Sequence, residues 1–407
     1  MLTGLFGTER LQLAEDVVQE SLVRALQTWP YYGIPKNPAA WLTQTAKNLA
    51  LDLIRREKLF AGKQPQIIAH IEQWAGDSSE ERAPALSGEI RDDRLRLMFA
   101  CCHPLIPADA QTALALKTLC GFSPAEIARA FLTTEAAIAK RLTRARRKIR
   151  ELNVPFEVPA GEELSSRLDA VLQTLYLLFN EGYKASGGER LVRAELCDEA
   201  IRLASLLVEQ PAGNQPRTHA LLALMLLNAA RLPARTDDDG NLLRLEEQDR
   251  SVWNRSMIAR GIAHLARSAA GTELTAYHVQ AGIAACHCVA ADYASTDWPQ
   301  ILSLYDRLVV LDDSPVVALN RAVALAHVCG PQAGLEGLVE IERQPAIASY
   351  YLLHAALADF KARLGDHGGA ATHLRRAIEL VGLKSEKAFL EKRLAEFEKQ
   401  AASEAAV

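Results

Sequence analysis

Three observations predict an all-α protein. Apolar residues recur at helical spacing from one end of the chain to the other, and no segment sustains the β-branched alternation of a strand. The interruptions are turn-forming or acidic stretches at 30–38, 61–89, 153–161 and 237–241. With 407 residues the chain is long enough for several domains, each with its own core.

The first helix is expected over 13–29, LAEDVVQESLVRALQTW, before the loop PYYGIPKNP. A second follows, AAWLTQTAKNLALDLIRREK, in which Leu42, Ala46, Leu49 and Leu53 form the stripe expected to be buried. Another stripe carries Trp41, Gln44, Asn48, Asp52 and Arg55, so an indole shares a face with amides, a carboxylate and a guanidinium. Such a face suits bases that have left a duplex: the ring stacks, the amides read base edges, and Arg55, Arg56 and Lys58 follow phosphates. Taken alone, Trp41 reads more readily as a core anchor. The following residues, 61–90, are polar and increasingly acidic at Asp77, Glu80, Glu81 and Glu89, the composition of a tether.

Residues 91–152 end in SPAEIARAFLTTEAAIAKRLTRARRKIR, which reads as a helix-turn-helix. Ser123 with Glu126 forms a capping box for a short first helix through Ile127 and Ala128, and the turn falls at 131–134. Thr133 or Thr134 then caps a second helix with an inward stripe of Ile138, Leu142, Ala145 and Ile149. Its other face carries Lys140, Arg141, Arg144, Arg146, Arg147, Lys148 and Arg150, a charge concentration able to neutralise phosphates. In such motifs the start of the second helix meets base edges, which assigns reading to Glu135, Ala136, Ala139 and Lys140 and backbone contacts to Arg141, Arg144 and Arg147. The basic helix is a local patch, because the whole chain carries a net charge of -4.

After a short linker at 153–163, helical patterns continue through an extension, 164–292, and a repeat-like region, 293–400. Within the latter, WPQILSLYDRLVVLDDSPVVALNRAVALAHV and YYLLHAALADFKARLGDHGGAATHLRRAIELV look like tetratricopeptide-type helix pairs. Ala322, Ala326, Ala356 and Ala377 let neighbouring helices approach, and a stacked array of this kind offers a groove for a peptide or protein ligand.

Chemical sites are weakly marked. Cys101, Cys102 and His103, like Cys286, His287 and Cys288, are adjacent residues that a helix splays about 100° apart, so neither triplet closes a tetrahedral metal site. The seven cysteines lack disulfide spacing and are expected to be reduced thiols. Gly182 as a helix C-cap and Glu181 as a structural acceptor explain Asn180, Glu181 and Gly182 as well as a signature motif does, and Glu246, Glu247, Asp249 and Arg250 read more readily as a solvated or salt-bridged face than as an acid–base cluster. No phosphate-binding glycine loop or nucleophile elbow is present in the sequence, so the expectation is a binding protein with no catalytic residues, metal or cofactor. The start is neither a signal peptide nor an apolar span, which predicts a cytoplasmic protein without a membrane partner.

AEDVVQESLVRALQTWP, then NPAAWLTQTAKNLALDLIRRE, an acidic tether, and PADAQTALALKTLCGFSPAEIARAFLTTEAAIAKRLTRARRKIR together resemble the extracytoplasmic-function sigma factors of bacterial RNA polymerase, over residues 1 to about 152. The resemblance implies a region-two helical domain at 1–60 and a region-four helix-turn-helix domain at 91–152. It implies that Asp16, Gln19 and Glu20 dock on the polymerase core. It further implies that Lys36, Asn37, Trp41, Asn48, Arg55 and Arg56 serve the promoter's minus-10 element, and the helix-turn-helix its minus-35 element. The family's region two normally starts with a further helix, of which only LTGLFGTERLQ stands here, from either a late-assigned start or a shortened chain. Residues 164–400 resemble the subgroup with a long helical C-terminal extension, which implies promoter-specific transcription initiation controlled or supported by that extension. A stand-alone helix-turn-helix regulator with a repeat-type sensor, and a scaffold that ignores DNA, are the alternatives.

Overall fold

The computed structural model describes residues 10–61, 92–131, 133–152, 159, 161–185, 191–237, 241–344 and 347–405. The acidic tether over 62–89 and the linker segment 153–158 lie outside them. The described residues form α-helices joined by turns, with one isolated antiparallel bridge between Thr236 and Leu242 and no strand. The fold is all-α, as the periodicity predicts. Two compact units result, one of Met1–Ala128 and Thr133–Thr174, the other of Arg129–Leu132 and Leu175–Val407.

In the first unit α1 (Leu11–Tyr32) packs on α2 (Pro38–Ala61) through a seam of Ala14, Val17, Ala46 and Ala50, flanked by Leu13, Leu49 and Leu51. The small side chains on both helices let the backbones approach closely. The expected stripe on α2 is therefore corrected: Ala46 is buried, but the seam turns toward Ala50, while Leu42 and Leu49 are half-buried and Leu53 is 39% exposed. The end of α1 also differs from expectation. Pro30 forfeits only its own N–H bond, so the helix runs on to Tyr32 and stops at Gly33, whose φ of 81° and N–H bond to the Trp29 carbonyl (2.9 Å) close the turn.

The rest of this unit comprises α3 (Asp93–Cys101), α4 (Ala108–Cys120), α5 (Pro124–Ala130), α6 (Glu135–Leu152) and the first half of α7 (Gly161–Tyr183). Asp92 caps α3 by accepting from the N–H groups of Arg94 and Leu95. Leu95, Met98, Phe99, Leu114, Leu116, Phe122 and Ile127 are buried with the inward stripe of α6. The α7 residues Leu168, Val171 and Leu172 are buried too, and Arg167, 2% exposed, donates from Nη1 to the Phe99 carbonyl at 3.1 Å. The segment read as the start of an extension thus contributes its first turns to the core of this unit.

The second unit continues with α8 (Ala194–Val208), α9 (Pro216–Ala229), α10 (Arg255–Ser268), α11 (Ala276–Val289), α12 (Trp298–Leu311), α13 (Pro315–Cys329), α14 (Pro331–Glu342), α15 (Tyr351–Arg363), α16 (His367–Leu380) and α17 (Lys384–Ala405). Consecutive helices pack on each other, α9 on α10 and on through α17. The punctuation is local chemistry. Asn254, Asp297, Ser314 and Asp366 accept first-turn N–H groups, Thr275 forms a capping box with His278, and prolines open α9, α13 and α14. Between caps the cores are built from residues such as Leu338, Leu353 and Phe360, and Ala358, Ala370, Leu374 and Ala377.

Gly182 is a correction to the expected C-cap. It lies inside α7, where an added Cβ would come within 2.7 Å of the Cys197 backbone nitrogen, so its role is close approach of α8. Glu181 is buried beside Arg193 at 3.6 Å. The Glu246–Arg250 cluster divides: Arg244 pairs with Glu246 and Glu247, Asp249 caps a short turn, and Arg250 is buried. Arg250 donates to the carbonyls of His287 and Ala290, each at 2.8 Å, and to Thr296 Oγ1 at 3.2 Å, tying the connection before α10 to the end of α11.

Half-buried imidazoles are expected to make this unit acid-sensitive. Burial, then the neighbouring His219, Arg267 and Arg260, pushes His264 down to about 4, and burial with Arg231, Arg250 and His327 pushes His287 down to about 3. The unfolded chain takes up these protons near pH 6.5 and the folded chain refuses them until far lower pH, so the unfolded state binds more protons in between and stability falls on acidification. The urea midpoint of the purified chain is expected to drop from about pH 6.5 toward about pH 4, and His264→Gln to reduce that drop. An unchanged midpoint across this window would refute the linkage.

Candidate nucleic-acid interface

The helix-turn-helix is assembled by its caps. Ser123 Oγ accepts from the Glu126 N–H at 3.2 Å, and Glu126 Oε2 accepts from the Ser123 N–H at 2.6 Å, the reciprocal pair that the sequence predicts. Of the two candidate caps for α6, Thr134 takes the role, its Oγ1 accepting from the Ala137 N–H at 3.3 Å. Ile138, Leu142, Ala145 and Ile149 are all buried. That orientation leaves Glu135, Ala136, Ala139, Lys140, Arg144 and Arg147 exposed along one side.

The cations of α6 are not equivalent. Arg141 pairs with Asp109 of α4 at 2.9 Å, Arg147 with Glu151 at 3.4 Å, and Arg146 with Glu15 of α1 at 2.6 Å. Lys140 and Arg144 make no ion pair among the described residues. Glu15 also accepts from Thr118 Oγ1 at 3.0 Å, so one carboxylate of α1 holds both the end of α4 and the basic helix. Sequence reasoning assigned Glu15 no role, because its partners lie more than a hundred residues away and carry no local signal.

On the helix pair, Asp16, Gln19 and Glu20 are exposed on one face of α1. Asp16 accepts from Gln12 at 2.8 Å and Glu20 pairs with Arg24 at 3.2 Å. Val18 and Leu22, with Asp16 and Gln19, line a groove of this unit, and Leu26, one turn further along α1, is 76% exposed. An unpartnered apolar stripe flanked by carboxylates suits a protein partner. The sequence reading placed only the polar residues there.

Trp41 is half-buried and meets Trp29 edge-on, with ring centroids 5.6 Å apart and planes at 64°. It is an anchor that keeps part of its ring open. Asn37 spends its carboxamide oxygen on the Ala40 N–H (3.0 Å), which makes it a helix cap, and Asn48 accepts from Gln44 at 3.1 Å. Lys36 is exposed, while the side chains of Arg55 and Arg56 lie outside the described residues. The residues expected in the joining loop instead close α1: Tyr31 and Tyr32 form its last turn and are 85% and 86% exposed. Two adjacent aromatics beside a turn glycine were the available signal.

All seven cysteines are free. Burial pushes Cys102 and Cys197 up to about 12 and Cys288 to about 11, so these thiols stay protonated. Among the described residues no three metal-ligating side chains converge, and no helix is long and apolar enough to cross a membrane.

An all-α chain whose helix-turn-helix presents an exposed basic helix belongs to the class of proteins that act on DNA. Comparison with known proteins narrows this. Sigma-70 region 2 matches residues 5–60, Sigma-70, region 4 matches residues 96–149, and a family of unknown function, DUF6596, matches residues 167–269. An uncharacterised protein of Rhizobium meliloti (strain 1021) is 40% identical over 387 residues, which span 94% of this chain and 90% of that protein. A probable RNA polymerase sigma factor, RfaY, of Xanthomonas campestris pv. campestris is 30% identical over 145 residues, 35% of this chain and 34% of that protein. No solved structure matches the chain. The chain belongs to the sigma-70 family of RNA polymerase sigma factors, as a member of the extracytoplasmic-function type with a C-terminal extension.

The Glu15 contact is open to direct measurement. A double-mutant cycle of Glu15→Gln and Arg146→Gln, read by chemical denaturation, is expected to give a coupling energy of about 1 kcal/mol, the range for residues in direct contact. Additive effects would show that the two groups do not interact.

Proposed function

We propose that this sigma factor recruits RNA polymerase core through the outer face of α1 and directs promoter-specific initiation, with its own C-terminal helices acting on the sigma module. Supporting this reading is the coexistence in one unit of two unlike surfaces. One is acidic and apolar, at Asp16, Gln19, Glu20, Val18, Leu22 and Leu26. The other is the exposed side of α6. The apolar stripe gains by burial against a protein, and the acidic residues steer it away from nucleic acid. In the minus-10 role we place Lys36, Trp41, Asn48, Arg55 and Arg56, with Tyr31 and Tyr32 as additional platforms on which unpaired bases stack. Asn37 contributes mainly by capping the helix that presents them.

Purified chain mixed with bacterial core polymerase is expected to initiate from a discrete set of genomic fragments. Asp16→Ala with Gln19→Ala is expected to weaken core binding and leave the helix-turn-helix folded. No promoter-dependent transcript from any fragment would overturn the proposal.

On α6 the position along the helix separates the roles. Glu135→Ala or Lys140→Ala is expected to change the preferred minus-35 sequence, because these residues lie at the end that enters the groove. Arg144→Ala or Arg147→Ala is expected to weaken binding to all sequences alike. Arg144 should have the larger effect, since Arg147 already has Glu151 beside it. Selection from a promoter library reads the difference, and four variants with equal loss and unchanged preference would contradict it.

Removal of the C-terminal helices is expected to lower transcription strongly. The cut must spare α7, because Arg167, Leu168 and Val171 are buried in the first unit and a chain ended near residue 160 would lose part of that core. A chain ended after Ala185 keeps the helix. Transcription equal to that of the full chain under all conditions would make the C-terminal helices an independent module.

A further inference from the structure

The second unit carries a cavity of about 520 Å³, open on one side, whose lining includes residues of α7, α9, α11, α12 and α13. Its size falls within the range of small-molecule and short-peptide sites. Two buried polar atoms of lining residues, Arg231 Nε and His287 Nδ1, have no hydrogen-bond partner among the described residues. Leaving such atoms unpaired is costly, more so for a charged group, so a pair of them on residues of one cavity points to an occupant.

The charge of the lining defines the occupant. Arg231 has no carboxylate at ion-pair distance among the described residues; its guanidinium lies 5.4 Å from the ring of Trp253. Arg250 beside it is already satisfied by two carbonyls and a hydroxyl and cannot compensate. Burial and these two cations keep His287 neutral. Asp312 also lines the cavity, so the local excess of positive charge is small and suits a single negative charge better than a dianion.

The remaining lining reads the body of a ligand. Asn228 donates to the Leu224 carbonyl at 3.0 Å, which leaves its oxygen to accept, and Gln280 and Asn320 make no side-chain hydrogen bond among the described residues. Three carboxamides supply donors and acceptors together. Tyr176 and Tyr305 add flat apolar surface.

We propose that this cavity is a binding site for an organic carboxylate, its charged end held by Arg231 and its body by the carboxamides of Asn228, Gln280 and Asn320 between tyrosine rings. An Arg fork meets a carboxylate with two parallel hydrogen bonds, which matches the unpaired guanidinium. The inference goes beyond the proposed function by giving the C-terminal helices a ligand, its place and its chemistry. A small carboxylic acid and the free C-terminus of a peptide share that chemistry.

The test uses the full chain without polymerase or DNA, so its outcome is independent of the transcription reading. A panel of small carboxylic acids with their matched primary amides, a panel of tripeptides with free or amidated C-termini, and inorganic phosphate are screened by ligand-observed NMR, and the strongest binders are titrated by calorimetry. Binders are expected among the free carboxylates, at least tenfold tighter than their amides, in the small-acid panel or in the peptide panel according to the source. Arg231→Gln is expected to weaken them at least tenfold. Asn320→Ala, at an exposed position, is expected to weaken them several-fold and decides the matter should Arg231→Gln fail to fold. Amides that bind as well as acids, binding of phosphate alone, or no binder in any panel would overturn the proposal. Ligands unaffected by the substitutions would leave the C-terminal helices as a binding module with its site elsewhere.

Discussion

Close approach between helices is the constraint on which the rest of this structure depends. Where an apolar stripe is built from alanine and glycine, burial of useful area requires backbones to come near each other, and each helix then has little tolerance for bulk in its neighbour. The seam of Ala14, Val17, Ala46 and Ala50 holds α1 to α2, and Ala358, Ala370, Ala371 and Ala377 build a core in the C-terminal helices. Gly182 brings α8 so near to α7 that a methyl group would collide with the Cys197 backbone. Tight seams set the rotation of each helix, and rotation decides which residues face outward.

The outward faces carry the residues proposed to serve the sigma-factor function. Rotation of α6 about its buried stripe presents Glu135, Ala136, Ala139 and Lys140 at the start of the helix and Arg144 further along. Rotation of α1 presents an acidic and apolar face on one side, while Glu15 turns to Thr118 and Arg146. A carboxylate that holds part of the basic helix lowers the number of cations free for phosphate, so the exposed charge of α6 is smaller than its composition implies. Arg141 and Arg147, each with a carboxylate partner, have the same consequence.

In the C-terminal unit the same economy of packing leaves polar groups inside. Arg250 finds carbonyls at the end of α11, where the helix dipole and unpaired acceptors favour a cation. Arg231, a few ångströms from the same Trp253, finds none among the described residues. The contrast between two guanidiniums on one indole separates a structural cation from one that has room for a ligand.

The sequence by itself determined the all-α class, the two-helix and helix-turn-helix order, the Ser123–Glu126 cap and the inward stripe of α6, because each follows from spacings of three or four residues within one helix. It also carried the family resemblance, whose motifs are contiguous. Tertiary structure alone decided that Ala50 replaces Leu53 at the α1–α2 seam, since helix rotation depends on the partner's shape, and that α1 runs through Pro30, since a proline near a helix end forfeits a single bond. It alone joined Glu15 to Arg146, gave the first turns of α7 to the first unit, and placed Gly182 inside a helix where the sequence suggested an end. Contacts between residues far apart in the chain leave no periodic trace in it, and the cavity around Arg231, assembled from five helices, belongs to that class.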